Sequence, residues 1–69
     1  MHIGNIIKQK TIERKKTVVW LARNLPCSRT NIYKIFDRST IDTGTLLRIS
    51  ILLEFDFFSL YSKEMNNNL

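Results

Sequence analysis

The side chains suited to chemistry in this chain crowd into one short run: Arg29, Thr30, Asn31, Tyr33 and Lys34, directly after Ser28. Read as a helix, the run puts a guanidinium in the first turn, where the macrodipole disfavours a cation. That placement is poor for stability and apt for a fork reading two acceptors on a guanine edge. The surroundings are basic too. Residues 1–38 hold nine Lys and Arg, among them Lys15, Lys16 and Arg38, against Glu13 and Asp37, a balance of +7. Residues 39–69 hold Arg48 and Lys63 against Asp42, Glu54, Asp56 and Glu64, a balance of −2. Such asymmetry suits a polyanion on one side and solvent or a partner on the other.

Catalysis and metal binding are poorly served. His2 is the only histidine and stands at an end expected to fray, and Cys27 is the only cysteine, so no zinc ligand set and no nucleophile–histidine pair can be assembled. A Gly-rich phosphate loop is missing as well. The expectation is a non-enzymatic chain with no metal, no cofactor and no small-molecule substrate. Cys27 reads as a small buried apolar residue. Without an internal disulfide the expected compartment is the cytoplasm, and no apolar run approaches the ~18 residues of a membrane span.

Positioning these groups falls to helices. Sixty-nine residues with 43% hydrophobic content suit one all-α domain around one core. Ile3, Ile6 and Ile7 predict a first helix to about Arg14, with Gly4 a small cost. Thr17 caps a second, whose Val18, Leu21, Ala22 and Leu25 form one stripe that Pro26 ends. Ser28 caps a third to about Phe36, with Ile32, Ile35 and Phe36 facing inward. Asp42 caps a fourth from Thr43 to about Glu54 through Leu46, Ile49, Ser50 and Leu53, and Asp56 a short fifth over Phe57, Phe58, Leu60 and Tyr61. The expected domain is 1–62, followed by a flexible tail over 63–69.

The run Thr17-Val-Val-Trp-Leu-Ala-Arg-Asn-Leu-Pro-Cys-Ser-Arg-Thr-Asn-Ile-Tyr-Lys-Ile-Phe36, extended by Leu46-Leu-Arg-Ile-Ser50, resembles the helix-turn-helix of phage-repressor-like (Cro-type) transcriptional regulators. To about Tyr61 the chain is similar to their five-helix, lambda-repressor-like pattern, and Arg29 to Phe36 resembles small single-domain members from Bacteroides-type bacteria. The resemblance implies a recognition helix at Ser28–Phe36, specific binding of double-stranded DNA, and regulation, with repression by occlusion as the form that needs no further domain. It implies base contacts from Arg29, Thr30 and Lys34. Asn31, Tyr33 and Arg38 are then nearer the DNA backbone, with Thr17, Lys15 and Lys16 as further phosphate contacts. Pro26 stands where the family favours glycine, so this turn is expected to avoid positive φ there.

Apolar residues near the C-terminus exceed what one short helix buries. Ile51, Phe57, Phe58 and Leu60 are the candidates for a homodimer interface. The rival from another class is an antitoxin-like or other protein-interaction module that uses the helical scaffold without reading DNA.

Overall fold

The computed structural model describes residues 1–69 as five helices and no strand: α1 (Ile3–Glu13), α2 (Val18–Asn24), α3 (Arg29–Phe36), α4 (Thr43–Leu53) and α5 (Phe58–Asn67). Helix starts fall where the sequence supplies an acceptor. The Asn31 N–H donates to Ser28 Oγ at 3.2 Å, the Trp20 N–H to Thr17 Oγ1 at 3.0 Å and the Thr45 N–H to Asp42 Oδ2 at 2.9 Å. Asp56 Oδ1 accepts from the Phe58 and Ser59 N–H groups at 3.0 and 3.2 Å. Each bond satisfies a donor that the helix itself leaves free.

His2 departs from expectation, since it caps α1 rather than fraying. The Asn5 N–H donates to its Nδ1 at 3.1 Å, which leaves Nε2 as the protonated nitrogen, donating to the Asp37 carbonyl at 3.1 Å. The C-terminal end differs as well. α5 continues to Asn67, so the tail expected over 63–69 is helical for most of its length, closed by Asn68 Nδ2 donating to the Glu64 carbonyl at 2.7 Å. No residue of α5 is buried.

The core joins Ile3 and Ile7 of α1, Leu21 and Ala22 of α2, Ile32 and Phe36 of α3, and Leu46, Ile49 and Leu53 of α4, with Leu25 and Phe57 from the connections. Phe57 is 0% exposed. It therefore leaves the set of interface candidates: it occupies the cap position ahead of α5, where its ring packs into the core and meets Phe55 edge-on at 4.8 Å. α3 packs on both α2 and α1, and α1 also packs on α4. No helix is long and apolar enough to cross a membrane.

α1 and α3 meet backbone to backbone. The Gly4 N–H donates to the Arg38 carbonyl at 2.9 Å and the Ile3 N–H to the Ser39 carbonyl at 3.3 Å. A Cβ on Gly4 would collide with the carbonyl oxygens of Ile35, Phe36 and Arg38. α1 and α4 end alike, in left-handed residues that are not glycine: Lys15 at φ 57° and Glu54 at φ 52°. After each, the chain turns back in the paired-bond pattern of a Schellman motif, Lys16 N–H to Thr11 and Lys15 N–H to Ile12, Phe55 N–H to Ser50 and Glu54 N–H to Ile51. Arg14 Nη2 adds a bond to the Glu54 carbonyl at 3.0 Å.

Helix propensity alone makes Gly4→Ala stabilising by about 0.5–1 kcal/mol. The crossing reverses the sign, because the colliding atoms are backbone and cannot step aside. Gly4→Ala is expected to destabilise by about 3 kcal/mol and to lower the melting temperature by on the order of 15 °C. Thermal unfolding followed by circular dichroism checks it.

Candidate nucleic-acid interface

α3 is held at both ends and on one side, and its remaining face is free. Ile32 and Phe36 point into the core, while Arg29, Thr30, Asn31, Tyr33 and Lys34 are all exposed, Tyr33 at 57%. The Tyr33 ring meets Phe36 edge-on at 6.4 Å, so its apolar body is braced while the residue stays exposed. At the start of α3 the Cys27 N–H donates to the Ala22 carbonyl at 3.0 Å, drawing the connection 25–28 tightly under the helix. Pro26 has no positive φ, in agreement with the constraint its ring sets. Cys27 is half-buried rather than enclosed, because the connection runs along the molecular surface between two grooves.

The electrostatics of this face follow from what the cations do not touch. The two ion pairs are Lys10–Glu13 at 2.7 Å and the N-terminus–Glu64 at 3.4 Å. Arg29, Lys34 and Arg38 form no ion pair, and Arg38 alone acts on a carboxylate, through its field on Asp42. Two further cations join them. Arg23 lies with Arg29 along the open groove over Ala22 and Pro26, and Arg48 of α4 lies with Lys34 and Arg38 along the groove on the other side of α3. Sequence reasoning missed both. Arg23 follows Ala22 at the edge of the α2 stripe, and Arg48 falls between Leu46 and Ile49, so each borders a buried face, the one local sign of its position.

The other residues named from sequence are dispersed. Thr17 Oγ1 is occupied as the cap of α2, which leaves only its hydroxyl proton to give. Lys15 is exposed at the left-handed turn after α1. Lys16 lays its ammonium 4.7 Å from the Trp20 ring centroid, and it lines a cleft with Leu52 and Glu54, apart from the grooves beside α3. Of the interface candidates, Ile51 is 67% exposed and Phe58 and Leu60 are half-buried. Leu47, one turn before Ile51 and 53% exposed, shares its face and was not anticipated. No three His, Cys, Asp or Glu residues gather as a metal site.

Asp42, which starts α4 beside these cations, is held below its usual carboxylate range. The Thr45 N–H is the main cause, followed by the Thr45 hydroxyl at 3.0 Å, with Arg38 adding to the effect. A depressed carboxylate stabilises the fold above the unfolded aspartate range and loses that contribution as pH falls through the folded value. Asp42→Asn keeps a capping oxygen but cannot titrate, so its melting temperature is expected to fall less than that of the parent on acidification from neutral pH through the aspartate range. Equal slopes in parallel melts would contradict the cap's charged role.

Comparison with known proteins returns nothing: no protein-family model matches the chain, and neither a curated protein nor a solved structure is significantly similar to it.

Proposed function

We propose that this chain reads double-stranded DNA with α3, as a small transcriptional regulator of the phage-repressor-like helix-turn-helix kind in which α2 and α3 are the motif. The observation that carries this reading is the outward face of α3, polar throughout, flanked by Arg23, Arg38 and Arg48, none of them in an ion pair. An α-helix fits the major groove of B-DNA, where a guanidinium pairs with the guanine O6 and N7 acceptors. Arg29, Thr30 and Lys34 take the base edges. Asn31, Tyr33, Arg38, Arg23 and Arg48 take phosphates, with the Thr17 hydroxyl and Lys15 at the margin, while Lys16 is diverted to Trp20. Acting by occlusion in the cytoplasm, such a protein needs no catalytic group.

The contrast between bases and phosphates tests it. Arg29→Ala is expected to cost on the order of 1–3 kcal/mol on a duplex selected from random sequence and little on a scrambled one. Arg38→Ala is expected to weaken both alike and to reduce the salt slope by about one unit. If the two variants behave identically on both duplexes in a salt series, α3 is not a base-reading helix.

A specific observation also supports pairing of two copies. Leu47 and Ile51 lie one turn apart on the solvent side of α4, where a solitary helix is polar. In the DNA reading this stripe joins a homodimer that spans two half-sites, with Phe58 and Leu60 as its further candidates. In the rival reading it docks another protein, as an antitoxin-like module does. Ile51→Lys is expected to shift sedimentation toward monomer and to weaken specific binding more than non-specific binding. A wild-type monomer at micromolar concentration that binds one site tightly refutes the homodimer.

A further inference from the structure

We infer that the groove between α3 and α4 binds a small organic anion with an apolar body, of which a carboxylate on a short hydrocarbon chain is the simplest case. The groove measures about 260 Å³, space for roughly nine water molecules. Leu25, Ile35 and Ile41 supply an aliphatic part of its lining, with the Cys27 thiol, and Asn31 and Thr45 add uncharged polar groups. Its rim is basic, with Lys34 from α3, Arg38 from the connection and Arg48 from α4, none of them in an ion pair. The one acid, Asp42, is turned to its own helix, where Oδ2 accepts from the Thr45 N–H at 2.9 Å and its hydroxyl at 3.0 Å. Three cations less one carboxylate leave the lining with a surplus of two positive charges.

Apolar walls with a few convergent polar groups are the usual make-up of a ligand pocket, and a guanidinium matches a carboxylate with two parallel bonds. A phosphodiester gives the cations a partner but leaves Leu25, Ile35 and Ile41 without one. An anion with a hydrocarbon body uses both. Asn31 and Lys34 belong to the groove as well as to the outward face of α3, so an occupant neutralises charge that the DNA reading requires. This coupling rests on the function proposed above, whereas the binding site does not.

The test titrates octanoate into the isotope-labelled full chain in the absence of DNA. Saturable shifts of the Asn31, Ile41 and Thr45 amides are expected, with octanol and inorganic phosphate each binding at least about tenfold more weakly. Arg48→Gln is expected to weaken octanoate by about tenfold with the rest of the spectrum unchanged. Ile41→Asn is expected to abolish the preference for octanoate over phosphate. Octanol or phosphate binding as well as octanoate would overturn the site, and so would unchanged affinity in both variants. A second arm adds octanoate to the protein bound to its selected duplex, where release is expected. Groove shifts without any duplex binding would sink the regulator reading alone, and duplex binding without groove shifts would sink the groove alone.

Discussion

Where α1 begins, it lies directly on the end of α3, with no side chain between them at Gly4. Opposite helix ends meet there. The free N–H groups of Ile3 and Gly4 face carbonyls just past the last turn of α3, and His2 adds a third donor. Partial charges of opposite sign at the two ends make the contact favourable beyond its individual bonds. α3 has only eight residues, too few to persist as a helix by itself. Its far end is capped by Ser28 and its inner side rests on α2, but the crossing fixes the direction in which its outer face points.

Much of this was legible locally. Thr17, Ser28 and Asp42 each stand just before a helical apolar pattern and supply the cap their position predicts, while Asp56 accepts N–H bonds at the start of α5 from one residue before the cap position. The spacing of Ile32 and Phe36 placed the outward face of α3 without any tertiary information. What was missed depends on segments far apart in the chain. His2 looked like a loose end because its partner Asp37 is 35 residues away. Gly4 looked like a weak helix former because the carbonyls it makes room for belong to another helix. Phe57 stood among the interface candidates because the core that encloses it is built from helices far earlier in the chain. Arg48 went unnoticed since only the packing of α4 on the body brings it to the rim shared with Lys34 and Arg38.

The formal charge of the basic half overstates what is free to act at a distance. Lys10 bonds Glu13 and lies 4.2 Å from the Phe55 ring centroid, Lys16 rests on Trp20, and Arg14 bonds the Glu54 carbonyl. These cations stitch the end of α1 to its neighbours. Of the cations outside these contacts, Arg23, Arg29, Lys34, Arg38 and Arg48 border α3, while Lys8, Lys15 and Lys63 stand exposed on α1, the turn after it and α5. Five cations gathered about one short helix favour approach of an anionic partner from that side.

The left-handed endings of α1 and α4 carry a separate meaning for how this framework can change. Lys15 and Glu54 each hold a conformation that disfavours a Cβ by about 1 kcal/mol, in a domain whose whole stability is on the order of 5 kcal/mol. Glu54 is placed against its helix a second time, since an anion at a C-terminus opposes the macrodipole. Its contact with Arg14 uses the backbone carbonyl and survives any side chain. The molecule therefore keeps a reserve of rigidity it has not taken up, located away from α3. Its framework can harden or soften at that corner while the recognition surface stays as it is, so durability and specificity can vary in this scaffold as independent traits.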